Sequence, residues 1–128
     1  GLAFRFFGID ATSQDALDVR SDIGTYSTMS VSELAAALPE QDFTLINVHI
    51  PYIGDIAGTD LSIPYNEITS YSTSLPTDKD ARIVVYCQSG RMSAEAAQTL
   101  TRLGYTNVTD VPGGMIAWQQ AGYQLIRD

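Results

Sequence analysis

Apolar positions in this chain fall into short runs whose period changes from one to the next. Ile83-Val84-Val85-Tyr86 is apolar throughout, as a strand buried on both faces of a parallel sheet requires. From Ser93 the spacing turns helical, with Ala96, Ala97, Leu100 and Leu103 on one face and Gly104 as a natural stop. Gln88 to Met92, with Gly90 in the middle, form a tight loop between that strand and helix. Upstream, Ser30 to Leu38 predicts a short helix: Ser30 and Glu33 have capping-box spacing, Leu34, Ala35 and Leu38 share a face, and Pro39 marks the end. Phe43 to Val48 predicts another strand, apolar except for Asn47. His49 to Asp60 reads as a loop, Leu61 to Ile63 as a brief strand closed by Pro64, Asn66 to Ser70 as a helical turn and Leu75 to Asp80 as a polar loop. Asn107 to Val111 predicts a further strand and Pro112-Gly113-Gly114 a turn. Met115 to Ala121 predicts a last helix that carries Ile116 and Trp118 inward, and residues from Tyr123 a tail.

Strands alternating with short helices predict an α/β domain with a central, mainly parallel sheet. The first residues break the pattern. Leu2 to Ile9 is apolar and aromatic, and Asp10 to Thr28 is rich in Ser, Thr, Asp and Gly. The expected division is an N-terminal arm or linker over residues 1–28 and a folded domain over residues 29–128.

Composition narrows the partners. A chain of 128 residues makes one domain with a real core. A net charge of −8 argues against nucleic acid or an anionic membrane surface. No apolar run reaches membrane-spanning length, so direct membrane insertion is not expected of this chain. The chain opens on Gly1 rather than Met, as expected of a processed or engineered fragment. The compartment stays open: a soluble domain, cytoplasmic or exported with an upstream signal. The single cysteine, Cys87, excludes an internal disulfide, a resolving cysteine and a zinc cluster, and nothing in the pattern asks for a metal or other cofactor.

Cys87 sits where the Ile83 strand ends, and open parallel sheets bind ligands beyond the carboxyl ends of their strands. The loop after it points backbone N–H groups at one spot, and the following helix adds its positive N-terminal end. With Arg91 nearby, that setting favours a thiolate and can hold an anion carried on the sulfur or delivered to it. A lone cysteine is commonly just a core residue, but the strand, loop and helix around this one argue for a nucleophile.

Four segments, in order, resemble the single-domain rhodanese family. Leu45-Ile46-Asn47-Val48-His49 is similar to the family's early strand, Ile63-Pro64 to its later Ile-Pro segment, and Val84 to Ser93 to its active-site strand, loop and helix start. Gly104-Tyr105, Val111, Gly113-Gly114 and Ala117-Trp118 resemble its closing segment. The resemblance spans about Thr28 to Tyr123 and implies a three-layer rhodanese-like fold. It also implies a sulfurtransferase that carries sulfane sulfur from a donor such as thiosulfate to cyanide, a thiol or a protein acceptor through a persulfide on Cys87. On that resemblance Gln88, Ser89, Gly90, Arg91, Met92 and Ser93 form the cradle and anion site, with Arg91 on the donor's anionic end. The family's usual acid and arginine in the early strand are here Asn47 and His49, which the resemblance places behind the groups that touch substrate. The family's common Gly-His-Ile-Pro-Gly-Ala loop is also absent, which opens the question of substrate choice.

Two other readings compete. Phosphatases and arsenate reductases of the Cys-x5-Arg type need arginine at the seventh loop position, and here that position is Ser93. A persulfide carrier or sulfur-sensing module would keep the same cysteine but turn over only with a protein partner. His49, Trp118, Tyr52 and Tyr65 each read either as pocket lining or as structural residues.

Overall fold

A computed structural model describes residues 19–20 and 25–127. Among the described residues six strands form one sheet: β1 (Val19–Arg20), β2 (Thr25–Thr28), β3 (Thr44–Asn47), β4 (Leu61–Ser62), β5 (Ile83–Tyr86) and β6 (Val108–Val111). Their spatial order is β1-β2-β6-β5-β3-β4. β1 runs antiparallel to β2, and the other four pairings are parallel. Helices α1 (Val31–Ala37) and α3 (Gly114–Gln120) pack on one face. Helix α2 (Arg91–Arg102) and a 3-10 segment, Ile68–Ser74, pack on the other. This is the expected three-layer α/β arrangement.

Strand alternation divides the core in two. Along β5, Ile83 and Val85 join Ala96, Ala97 and Leu100 of α2. Val84 and Tyr86 point the other way, to Leu34, Met115 and Trp118. All four β5 side chains are buried, which explains an apolar run with no period of two. Helix α1 is set by its cap: Ser30 Oγ accepts from the Glu33 N–H at 3.1 Å, and Glu33 Oε1 accepts from the Ser30 N–H at 2.8 Å.

Four sequence expectations are corrected. Residues 25–28, read as part of a loop or arm, form β2, whose Ser27 and Thr28 stand opposite Thr109 and Asp110. The aromatic start and most of the arm lie outside the described residues. Helix α2 begins at Arg91, not Ser93, so Arg91 and Met92 belong to its first turn rather than to the loop. Ile116 is 42% exposed; residues two apart on a helix are about 200° apart, so Met115, three before Trp118, takes the inward place. The C-terminal segment is docked rather than a tail. Asp55 and Ile126 exchange backbone hydrogen bonds of 2.7 and 2.8 Å, and Tyr123 stacks on Trp118 with ring centres 4.3 Å apart.

Candidate active site

The site is built where β5 passes its chain to α2. Gly90 caps the helix with φ of 119°, and a Cβ there would stand 2.8 Å from the Pro112 carbonyl oxygen. The start of α3 closes in behind. Met115 N–H donates to the Cys87 carbonyl at 2.9 Å and Ile116 N–H to the Gln88 carbonyl at 3.1 Å. Gly114 allows this approach, since a Cβ there would lie 2.5 Å from the Cys87 oxygen. The Pro-Gly-Gly turn is therefore part of the site's frame, clamping the loop by its carbonyls.

Cys87 is 2% exposed, with its sulfur at the inner end of the loop. The Gly90 N–H donates to Sγ at 3.0 Å. The thiol donates to Ser93 Oγ at 3.5 Å, and the fully buried Ser93 hydroxyl donates to the Gly90 carbonyl at 3.2 Å. Above the sulfur lies a recess of about 150 Å³ lined by His49, Cys87, Gln88, Ser89, Arg91 and Met92. A sulfur anion formed here would meet a backbone donor at the head of a 12-residue helix, which is favourable electrostatics for negative charge.

Not every predicted residue reaches the sulfur. Arg91 lines the recess, but its side chain is 66% exposed, pairs with Glu95 at 2.8 Å and lies over the Tyr65 ring at 5.5 Å. Asn47 is buried outside the recess and organises the loop that follows it. Its amide donates to the Gly54 carbonyl at 2.8 Å and to Asp55 at 3.0 Å, while its Oδ1 accepts from the His49 N–H at 3.0 Å. His49 is thereby held at the recess; its Nδ1 is buried without a hydrogen-bond partner, and burial lowers its pKa below 6.5. Trp118 is core, and Tyr52 is exposed with its hydroxyl donating to Asp55 at 2.8 Å. Tyr65 packs partly buried against the α2-side core.

One titratable residue beside the site escaped the sequence reading. Asp110, in the middle of β6, is 3% exposed on the α2 side of the sheet, and one of its carboxylate oxygens has no hydrogen-bond partner. Burial pushes its pKa up to about 6, against the opposing pull of the Ser93 hydroxyl and the Val111 backbone. Among the described residues there is no cluster of His, Cys, Asp and Glu able to hold a metal, and no helix is long and apolar enough to cross a membrane.

The family model for the rhodanese-like domain matches residues 9–121 of this chain. The chain belongs to the rhodanese-like domain family. A sulfurtransferase from Allochromatium vinosum is 35% identical over 66 residues, which are 52% of this chain and 60% of that protein. The thiosulfate sulfurtransferase PspE of Escherichia coli is 34% identical over 53 residues, 41% of this chain and 51% of its own length. The chain thus covers only about half to three fifths of these two relatives. Among solved structures, a human single-domain sulfurtransferase superposes with a TM-score of 0.66 at 25% identity, covering 75% of this chain and 97% of that one. A rhodanese-related protein from Thermoplasma volcanium gives 0.66 at 28% identity, covering 79% and 98%. Where the phosphatase pattern calls for arginine stands Ser93, whose Oγ accepts from the Cys87 thiol.

Proposed function

We propose that this rhodanese domain is a sulfurtransferase whose nucleophile is Cys87 and whose donor is a small sulfane-sulfur anion such as thiosulfate. The observation that carries the reading is the Gly90 N–H on Sγ, at the head of α2 and under a small recess. The Cys87 thiolate attacks the outer sulfur of thiosulfate. The S–S bond breaks, sulfite leaves with the bonding pair, and Cys87 becomes a persulfide anion. Cyanide, a thiol or a protein thiol then takes the terminal sulfur, and the thiolate returns with the electron pair of the cleaved bond. In the first step the Gly90 N–H steadies the charge on the Cys87 sulfur. Gln88, Ser89 and Met92 shape the wall of the recess, and Arg91 and His49 stand at its rim toward the donor's sulfonate end. The recess suits a small donor better than a bulky one, and Ser93 in place of an arginine speaks against phosphate as the substrate.

Intact mass after thiosulfate, and again after cyanide, tests the reading. The expected result is a gain of one sulfur that cyanide removes and that is absent in Cys87→Ser. Sulfur loading in the Ser variant would move the chemistry off Cys87. A stable sulfur adduct that small acceptors leave in place would favour a persulfide carrier served by a protein partner.

A further inference from the structure

Asp110 has no role in the cycle above, yet a buried carboxylate with an orphaned oxygen is an expensive thing to keep beside a nucleophile. Alternation along β6 puts Asp110 on the same side of the sheet as Val108, facing α2. Register puts it opposite Val85 of β5, two residues before Cys87. Ser93, in the first turn of α2, stands between the two. Its Oγ accepts from the Cys87 thiol at 3.5 Å, and its hydroxyl favours the ionised form of the Asp110 carboxyl. A serine hydroxyl has one proton to give, and three acceptors compete for it: the Gly90 carbonyl, the Asp110 carboxylate and, once ionised, the Cys87 sulfur.

We propose that Asp110 is a positioning residue for Cys87 that acts through the Ser93 hydroxyl and makes the reactivity of the thiol depend on the protonation of a second, buried acid. With Asp110 protonated, its O–H can donate to Ser93 Oγ, and the Ser93 proton is free to turn onto the thiolate or persulfide. With Asp110 ionised, the carboxylate claims the Ser93 proton and sets a like charge near the sulfur, which opposes the anion there. No bond to carbon or sulfur changes in this switch; one proton exchanges between Asp110 and solvent. Burial, which pushes the Asp110 pKa up to about 6, brings this proton exchange within reach of ordinary buffers. Around Asp110, β2 contributes the phenol of Tyr26, whose pKa is raised by burial and by the Asp110 charge. Cys87 follows β5 directly, α2 contributes the neutral Ser93, and Gln98 of α2 acts on Tyr26 rather than on Asp110. No cation enters the balance that sets its titration.

The proposal rests on Cys87 being the nucleophile but not on any sulfur donor, so its test uses a neutral alkylating reagent. Iodoacetamide labelling rates would be measured from pH 5 to pH 9 for the wild type, Asp110→Asn, Ser93→Ala and the double variant. The Asn side chain is neutral and can donate to Ser93, as the protonated acid does. Asp110→Asn should label about as fast as the wild type at pH 5 and about three- to tenfold faster at pH 8. Most of that gain should vanish when Ser93 is already Ala. Parallel profiles for the wild type and Asp110→Asn would overturn the proposal. If Asp110→Asn does not fold, infrared spectra of the wild type decide. The carboxylic-acid C=O band of a buried acid should titrate at a different pH before and after alkylation of Cys87, and an unmoved titration would sink the idea. Failure of thiosulfate loading would instead bear on the proposed reaction and leave the labelling result intact.

Discussion

The two faces of the sheet are made from alternate residues of the same strands, yet they do different work. On the α1/α3 face, Leu34, Tyr86, Val111, Met115 and Trp118 interlock, and the Tyr86 hydroxyl is fully used. The Tyr86 hydroxyl accepts from the Ile56 N–H at 2.9 Å and lies 2.8 Å from Thr59 Oγ1. On the α2 face the helix offers small side chains, Ser93, Ala96 and Ala97, and buried Ser93 and Asp110 stand on the side of Cys87. Small residues let α2 approach the sheet closely enough for its first turn to reach the sulfur. The cost is that Asp110 lies in the same layer with an oxygen unmatched. One face is built for cohesion, and the other gives up some cohesion to hold the proposed nucleophile and a buried acid.

The hardest blow to the cohesive face should be Trp118→Ala. The indole is buried, stacks on Tyr123 and donates to the Gln124 carbonyl at 3.4 Å, so its loss also frees the C-terminal segment. A loss of about 3–5 kcal/mol in denaturant unfolding is expected. The pH profile of Cys87 labelling in the folded variant should stay as in the wild type. A changed profile would mean the two faces are not separable.

The reactive face should respond to pH instead. Asp110 titrates near 6 when folded and near 3.8 when unfolded, so ionisation costs the folded state more. Its penalty is absent below about pH 4 and grows as pH rises through about 6. Asp110→Asn should therefore raise stability by about 2 kcal/mol at pH 8 and leave it nearly unchanged at pH 4. His49 works in the opposite sense. Its lowered pKa means that stability is lost as pH falls below about 6.5 toward its folded value. Urea titrations of wild type, Asp110→Asn and His49→Gln across pH 4–8 separate the two.

Legibility followed the same division between local and distant causes. The Ser30–Glu33 cap and the strand–loop–helix around Cys87 depend on neighbours in sequence, and both could be read from spacing. The start of α2 was misplaced because the apolar period shows only from Ala96, while the true cap is a glycine with positive φ and no side-chain signal. Strand β2 carries one buried residue, Tyr26, too few to display an alternation. The docking of Ile126 on Asp55 joins residues far apart in the chain, and no local pattern announces it. Asn47 was legible as a departure from the expected acid, but its use as a staple for the loop was not. Asp110 did have a signal: a charged residue inside Val108–Val111, a run otherwise fit for a buried parallel strand.

The smallest effect expected is at the rim, where Arg91 is the cation nearest the recess. Its guanidinium is already engaged by Glu95 one turn along α2, in the exposed i, i+4 arrangement whose strength is modest. An arginine whose charge is partly answered attracts an incoming anion less. Glu95→Gln should therefore lower the KM for thiosulfate about two- to threefold, with kcat unchanged, since Glu95 lines no part of the recess. Arg91→Ala should raise that KM while leaving the rate with thiol acceptors largely intact. Both shifts should fade as ionic strength rises, because the charges are in solvent. If Glu95→Gln instead raised the KM, the ion pair would be holding Arg91 in its working position rather than competing for it. The rim would then belong with the organised part of the reactive face.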